Sequence, residues 1–409
     1  MIDSVEQDSQ ELERSGPPLS VAYVVHTFNF GGLERCVARL VNELDRRQFA
    51  PSIIVLGYNG TAARWIDRDD VPIIELQKKP GNDLGVVRRL ARTLRSLSVD
   101  IVHSHNWGTL VETLLARKLA GTPVHVHAER GMELDALHTA AWKRKLRGRA
   151  TRWALERTDC VVAVAEEVRG QVLRRCGGLT KEVLVVPNGV TRPAVDPAGP
   201  TNDDIRRQYH IGPAATIIGS VGRLVPVKDF QLAVAAVSRL RHRGRDVHLL
   251  LVGQGPELEP LTAQADALGV ADRVHFAGER DDVGNWLAAM DVYVNCSLNE
   301  GMSQSVLEAM GAGLPLVVTD VGDSALLLGD PPTIGRVVRS GDCDALADAL
   351  DELIVDDEQR RRLGAQALVR HQQEYSLEIM VERYESLYEE LAVAHTRRNG
   401  RTQATEFVK

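Results

Sequence analysis

The chain has 409 residues, of which 44% are hydrophobic, 26% charged and 4% aromatic. A chain of this length exceeds what one ordinary hydrophobic core supports, so two globular domains are expected. The formal net charge of −7 excludes nucleic acid as an expected partner, because neutralising phosphates requires a basic surface, and the few aromatic residues argue against a carbohydrate-binding module lined with stacked rings.

The N-terminal segment 1–18 is acidic and polar, which excludes a signal peptide and predicts a disordered tail. No apolar run approaches the roughly 20 residues of a transmembrane helix. The cysteines are odd in number and lack C-x-x-C spacing, which argues against a disulfide framework or a zinc site; they are Cys36, Cys160, Cys176, Cys296 and Cys343. The sequence therefore predicts a cytoplasmic protein, whose contact with the inner face of the membrane, if it makes one, is peripheral.

The first half of the chain alternates short β-branched runs with amphipathic helical stretches. Apolar residues at i, i+3, i+4 and i+7 spacing between Leu33 and Leu44 predict the first helix. Continuous apolar strands that alternate with helices indicate a parallel sheet covered on both faces. The predicted strands are 21–25, 52–57, 100–103, 124–127, 160–164 and 183–187.

A second α/β set follows the proline-rich segment 187–204, which has no periodicity and is typical of an interdomain linker. Its predicted strands are 216–221, 247–252, 274–276, 291–295, 315–319 and 335–338. The fold class is therefore α/β, with two doubly wound Rossmann-like domains that face a central cleft. The expected divisions are an N-terminal domain over 19–195, a C-terminal domain over 196–375, a helix over 376–394 that can return to the first domain, and a disordered polar tail over 395–409.

The most specific motif is NEGMSQSVLEAMGAGLPLVVTD. Glu300 precedes a predicted helix and Glu308 lies eight positions later, so two helical turns bring both carboxylates near the same side. Gly301 lets the backbone turn tightly, and the amides of Met302 and Ser303 open the helix, where free N–H groups and the positive dipole end favour an anion. The alternative is a helix whose acids serve as a dipole partner and a solvated surface residue. The glycines at the helix end and the buried strand that follows favour a binding site.

This motif resembles the E-G-(six residues)-E-A-M-A-x-G-x-P-V signature of the family 4 retaining glycosyltransferases, which have the two-domain GT-B fold. The resemblance covers most of residues 20–390 and looks like that of bacterial exopolysaccharide-type sugar transferases. It implies that Glu300 contacts the hydroxyls of a donor sugar and that Glu308 contacts the ribose of its nucleotide. It also implies that the domain over 19–195 binds the acceptor and that the domain over 196–375 binds the nucleotide-sugar.

A second motif, SVGRLVPVKDF, follows a predicted strand. Arg223 and Lys228 offer a guanidinium fork and a point charge for phosphate oxygens, although such a basic pair can also be an ordinary surface feature. The segment is similar to the V-G-R-L-x-x-x-K-G string of the family, in which the two cations hold the donor diphosphate. Asp229 stands where the family has glycine, which adds a negative charge near the site.

The third motif, HTFNFGGLERCV, opens the first helix. Gly31 and Gly32 permit positive φ angles and an exposed row of N–H groups there, and a plain tight turn is the alternative. The family carries a similar G-G-x-E loop, which implies contact with phosphate or acceptor across the cleft.

Two H-x-H pairs, His103 with His105 and His125 with His127, end two predicted strands. Side chains two residues apart share a face of a strand, so a metal site is one interpretation. The nearby acids lack a diagnostic ligand spacing, which leaves hydrogen bonding in the core or loops, or an active-site role for His127. The family resemblance favours a catalytic contact of His127 with the donor sugar and implies that neither a metal nor another cofactor is needed.

The stretch 142–157 has seven basic residues against one acid, with Trp142 and Trp153 interleaved. Such a face can lie on anionic lipid, or it can be a solvated helix balanced by acids elsewhere.

Together these features predict a retaining glycosyltransferase that moves a sugar from a nucleotide diphosphate sugar to a hydroxyl of a glycan or lipid-linked acceptor in cell-surface or exopolysaccharide synthesis. The alternatives are a nucleotide-sugar epimerase of the same fold and a non-catalytic nucleotide-sugar-binding protein. The sequence does not distinguish the nucleotide, the sugar or the acceptor.

Overall fold

A computed structural model describes residues 16–29, 31–81, 83–131, 141–329 and 331–406. Residues 1–15 of the predicted N-terminal tail lie outside the described residues. Within the described part of the chain, no helix combines the length and apolar composition that crossing a bilayer requires.

Two parallel sheets form the centres of two domains, and every strand pair in both sheets is parallel. Within the described residues the first sheet has the order β3-β2-β1-β4-β5-β6-β7 and the second the order β10-β9-β8-β11-β12-β13. The first sheet contains β1 (Leu19–Val25), β2 (Phe49–Val55), β3 (Ile73–Glu75), β4 (Ile101–His105), β5 (Val124–Glu129), β6 (Cys160–Ala163) and β7 (Val183–Val185). The second contains β8 (Thr216–Val221), β9 (Val247–Val252), β10 (Val274–Gly278), β11 (Val292–Asn295), β12 (Leu316–Thr319) and β13 (Gly335–Val338).

Helices cover both faces of each sheet, as a doubly wound fold requires. In the first domain they are α1 (Gly32–Glu43), α2 (Leu84–Ser96), α3 (Trp107–Ala120), α4 (Ala141–Leu155) and α5 (Glu166–Cys176). In the second they are α6 (Asn202–Gln208), α7 (Phe230–His242), α8 (Leu258–Ala267), α9 (Val283–Ala288), α10 (Gln304–Gly311), α11 (Ser324–Leu328), α12 (Cys343–Val355) and α13 (Asp357–Arg370). A π-helical turn (His371–Tyr375) then leads into α14 (Leu377–Glu406).

The twelve predicted strands are present, and the two-domain α/β architecture is confirmed. Burial explains why these strands could be found from the sequence. Val21, Tyr23 and Val24 of β1, for example, are completely buried although they point to alternate faces of the sheet. The short edge strand β3 was not predicted. It has only three residues, none of them buried, so it carries little hydrophobic signal.

The last helix, α14, crosses back and packs on the first domain. Leu377, Met380 and Tyr384 belong to the same buried cluster as β1 and α1. The hydroxyl of Tyr388 hydrogen-bonds Tyr23 Oη at 3.0 Å and His103 Nδ1 at 2.8 Å. The second domain thus sends its C-terminal helix into the core of the first.

The helix α14 is longer than the predicted 376–394. It runs to Glu406, whereas residues 395–409 were expected to be a disordered tail. That tail is polar, which suggested disorder, but most of its residues are Arg, Gln, Ala, Glu and Thr, and several of these have good helix propensity. Polarity therefore did not imply a loss of helical structure up to Glu406.

Candidate active site

The predicted donor residues lie in loops at the carboxyl ends of the second sheet, where ligands bind in doubly wound folds. The loop after β8 carries Lys228, and the loop between β11 and α10 carries Glu300. The amide of Leu298 donates to the carbonyl of Val227 at 2.8 Å, which joins the two loops. The sheet order, in which β8 and β11 are neighbours, brings together side chains that are 72 residues apart in sequence.

Glu300 and Lys228 form a direct ion pair. The ammonium Nζ contacts Glu300 Oε1, and the hydroxyl of Ser297 donates to the same oxygen at 2.8 Å. The two charged side chains are only 16% and 21% exposed. The carboxylate is therefore held in one orientation by two donors to Oε1, while Oε2 has no hydrogen-bond partner in the part of the chain that the structure describes.

Gly301 and Met302 lie against the first domain. A Cβ at Gly301 would sit 3.3 Å from the carbonyl oxygen of Arg130 and 3.4 Å from Gly131 Cα. The sulfur of Met302 accepts a hydrogen bond of 3.3 Å from the amide of Asn188. A larger residue at position 301 would therefore push the two walls of the cleft apart.

Ser303 immediately precedes α10, which begins at Gln304. The sequence had placed the helix start at Met302, two residues earlier. The Ser303 hydroxyl accepts from Asn295 Nδ2 at 3.2 Å and does not cap the helix. The Ser303 side chain thus leaves the first backbone N–H groups of α10 free to donate to an anion, as an anion site at a helix start requires.

The side chain of Arg223 is exposed. It forms no hydrogen bond or ion pair with the described residues, but its charge acts on Glu34 of the first domain. Burial raises the pKa of Glu34, and the Arg223 charge opposes that effect. Arg223 therefore faces the start of α1 across the cleft.

Asp229, which replaces the family glycine, adopts a left-handed conformation with φ of 46°. Aspartate tolerates this region better than most residues that carry a Cβ, so the loop keeps the path that glycine would give it. Burial raises the pKa of its carboxyl group.

The glycine pair at the start of α1 does not use the positive φ angles that the sequence analysis expected. Gly31 has φ of −170°, an extended conformation open to any residue, and Gly32 is helical. A Cβ at Gly31 would lie 2.3 Å from Glu34 Oε2, and one at Gly32 would lie 3.4 Å from Gln304 Nε2. The pair allows Glu34 and the second domain to approach the helix start closely.

Glu308 pairs across the cleft with Arg39 of α1, which the sequence analysis did not identify. Arg39 Nη2 lies 2.7 Å from Glu308 Oε1, and Arg39 Nη1 donates to Gln304 Oε1 at 3.1 Å. The Gln304 side-chain amide in turn donates to the carbonyl of Gly32. The periodicity marked Arg39 only as a polar residue beside the apolar face of α1, and nothing in the sequence showed what it would face.

His127 is completely buried and lies beside Ser104, whose hydroxyl is 2.7 Å from its Nδ1. Its Nε2 is 3.5 Å from Glu129 Oε1, and Glu129 pairs with Arg175. These contacts match the hydrogen-bonding alternative, and contact of His127 with a donor sugar stays a prediction.

The other three histidines of the H-x-H pairs are also enclosed. Burial lowers the pKa of His103, His105 and His125 well below the usual histidine range. In the described part of the chain, no group of three or more His, Cys, Asp or Glu side chains has the arrangement of a metal site.

Solved structures with the same fold include glycosyltransferases. A glycosyltransferase from Rickettsia africae superposes with a TM-score of 0.78 at 21% identity, over 91% of this chain and 98% of that one. The Anabaena protein HepE in complex with UDP gives a TM-score of 0.79 at 20% identity, over 91% of this chain and all of that one. At these identities the likeness establishes the GT-B fold.

Sequence comparisons establish the family. The Glycosyltransferase Family 4 profile matches residues 30–192, and the profile of group 1 glycosyl transferases matches residues 215–356. A lipopolysaccharide core biosynthesis glycosyltransferase of Rhizobium meliloti is 30% identical over 82% of this chain and 88% of its own length. An N-acetyl-α-D-glucosaminyl L-malate synthase of Bacillus anthracis is 26% identical over 76% and 79%. With two profiles matched in the order of the two domains and a relative of this similarity along most of both chains, the protein belongs to the family 4 glycosyltransferases and is a glycosyltransferase enzyme.

Proposed function

We propose that the protein transfers a glycosyl group, with retention of anomeric configuration, from a nucleotide diphosphate sugar to a hydroxyl group of a glycan or lipid-linked acceptor. The observation that carries this proposal is the enclosed Glu300–Lys228 pair at the sheet edge that faces the first domain. The relative from Rhizobium meliloti acts in lipopolysaccharide core biosynthesis, which supports a role in making cell-surface or extracellular polysaccharide.

In this proposal, Glu300 accepts hydrogen bonds from hydroxyls of the donor sugar, and Lys228 and Arg223 hold the diphosphate. A carboxylate fixed by Lys228 and Ser297 loses little conformational entropy when it binds a further hydroxyl. The hydroxyls of the sugar therefore donate to an oxygen that is already in place. Hydrogen bonds to charged groups contribute about 1.5–3 kcal/mol each. Glu308 takes the ribose, and the backbone around Gly301, Met302 and Ser303 frames the phosphates.

Catalysis then consists of positioning the donor and stabilising its leaving group. As the bond to the sugar breaks, negative charge develops on the diphosphate, beside the ammonium of Lys228 and the guanidinium of Arg223. The start of α1 at Gly31 and Gly32 offers helix amides from the other side of the cleft. We propose that the departing phosphate accepts the proton of the attacking hydroxyl on the same face of the sugar, so neither a protein nucleophile nor a metal is required.

A screen for donor binding tests this proposal. UDP-, GDP- and ADP-sugars are compared for thermal stabilisation of the full chain, and the binder is then tested for transfer, with the product anomer read by NMR. Replacing Glu300 by Gln removes the charge at nearly constant shape and should lower transfer at least about 100-fold, as losses of one well-placed polar group do. The matched control is Glu259→Gln on the exposed face of α8. Full turnover by Glu300→Gln, or an inverted product, would contradict the assignment, and epimerisation of the donor alone would indicate the epimerase alternative.

We also propose that the first domain lies on the cytoplasmic face of an anionic membrane through α4. Trp142 and Leu146 on this helix are 65% and 60% exposed, and Trp153 is also exposed between arginines. Apolar side chains among cations are typical of helices that lie in a lipid interface. Sedimentation with anionic vesicles at low salt should bring the protein down, and neutral vesicles should not. Protein that stays in the supernatant with anionic vesicles would refute this contact.

A further inference from the structure

Besides the contacts of Gly301 and Met302 with the first domain, a compact set of side-chain contacts between α1 and α10 bridges the cleft. Arg39 donates one nitrogen to Glu308 and another to Gln304, and Gln304 donates its amide to the carbonyl of Gly32. Gln304 and Glu308 are one turn apart on the same side of α10, so a single arginine engages both. The orientation of the Gln304 amide is fixed by its two bonds.

This ion pair is unlike the surface salt bridges of the molecule. The side chains of Arg39 and Glu308 are only 14% and 10% exposed, whereas Arg47 of the exposed pair with Asp45 is 86% exposed. Exposed ion pairs contribute little to the free energy of unfolding, but removing one partner of an enclosed pair leaves a buried charge that water solvates poorly. The position of the Glu308 carboxylate therefore depends on a residue of the other domain.

Only half of the Glu308 carboxylate is engaged. Oε1 accepts from Arg39, and Oε2 has no hydrogen-bond partner among the described residues. An ionised carboxylate offers about four lone-pair sites, so Oε2 and the remaining lone pair of Oε1 can accept two further hydroxyls. Two adjacent ribose hydroxyls have that pattern. Arg35, one turn earlier on α1, also lies within electrostatic range of Glu308.

We propose that Arg39 is a positioning residue that holds Glu308 in the orientation that binds the ribose of the donor. This rests on the proposed function, in which Glu308 receives the ribose. The donor site of the second domain is then completed by α1 of the first domain, and nucleotide recognition depends on contact between the domains.

The test compares the affinity for a nucleoside diphosphate that has both ribose hydroxyls with the affinity for one that has neither. UDP, GDP and ADP are each measured beside the 2′,3′-dideoxy counterpart by calorimetry, using the full chain. In the native protein the dideoxy compound of the preferred base should bind roughly 10- to 100-fold more weakly, the range expected for hydrogen bonds to a charged group. In Arg39→Met the ratio of the two affinities should shrink to about 3-fold or less, because the Glu308 carboxylate is no longer held in the orientation that binds the two ribose hydroxyls.

Two further variants separate this effect from a general loss of structure. Arg39→Lys keeps the positive charge but cannot donate to Glu308 and Gln304 through two separate nitrogens. It should therefore discriminate between the ribose and dideoxyribose forms better than Arg39→Met and less well than the native protein, and it remains a test if Arg39→Met folds poorly. Arg88→Met, on the exposed face of α2, removes an arginine elsewhere in the first domain and should discriminate as the native protein does. A merely structural role of Arg39 would weaken both nucleotides equally and leave their ratio unchanged.

The outcomes distinguish the two levels of the proposal. If the native protein binds ribose and dideoxyribose forms equally, the ribose role of Glu308 fails and the inference fails with it. If the native protein prefers the ribose form and both Arg39 variants prefer it to the same degree, the inference on Arg39 is overturned, while the proposed ribose contact of Glu308 is retained.

Discussion

Gly322 follows β12 and lies directly beneath the backbone of Glu300. Its φ is +55°, and a Cβ at this position would lie 2.2 Å from the carbonyl oxygen of Glu300 and 2.8 Å from that of Gly301. Ordinary van der Waals contact begins near 3.4 Å, so Gly322→Ala should push the Glu300 peptide away by about 1 Å. A misplacement of this size at a reacting centre can cost about 100-fold in rate. The left-handed backbone adds roughly 1–2 kcal/mol of strain for alanine.

The assay is transfer with the donor identified by thermal stabilisation, together with thermal unfolding of the same samples. Gly341→Ala is the matched control, because Gly341 has φ of +77° but nothing within 4 Å of an added Cβ. Both variants should lose stability through backbone strain, and only Gly322→Ala should lose about 100-fold in kcat/KM. If the kcat/KM of Gly322→Ala stays within about 3-fold of the control, the close packing of Gly322 does not set the position of Glu300, and the reasoning is refuted.

Three further predictions address the diphosphate, the pH dependence and the domain core. Lys228→Met leaves Glu300 enclosed without its cation and should weaken binding of nucleoside diphosphate about 10- to 100-fold by calorimetry; unchanged affinity would exclude a phosphate contact. Burial lowers the pKa of His275 to about 4 from 6.5, so between these values the unfolded chain binds more protons. Stability should therefore fall as the pH drops through this window, and urea unfolding of His275→Gln should show a shallower fall than the native protein. Tyr388→Phe removes the buried partner of His103 and should cost about 1–3 kcal/mol in urea unfolding; a loss below about 0.5 kcal/mol would argue against that bond.

Most of the architecture could be predicted because local signals and tertiary structure agree. Strands such as 160–164 are apolar throughout since both faces of the sheet are covered, and the apolar stripe of α1 is the face it buries. The short edge strand β3 and the end of α14 were missed for opposite reasons. The first lacks buried residues, and the second is polar yet helical.

The sequence indicated candidate site residues in both domains but not the pairs that they form across the cleft. Glu300 and Lys228 lie in motifs whose glycines and strand ends indicate a phosphate or sugar site, and sheet order brings them into contact. Arg39 carries no such signal, because its meaning depends on how the two domains face each other. The role of Gly31 was misread for the same reason: a pair of glycines suggests positive φ angles, whereas Gly31 is extended and lies beside the side chain of Glu34.

The return of α14 to the first domain also has a consequence for biosynthesis. Tyr384 and Tyr388 are completely buried among residues of β1 and β4, yet they are made after the whole second domain. At about 5–20 residues per second, a ribosome needs on the order of 10–40 s to pass from the end of the first domain to these tyrosines. Throughout that time the surface around His103 that α14 covers stays open. The first domain, although it is translated first, can therefore complete its buried cluster only after α14 has been made.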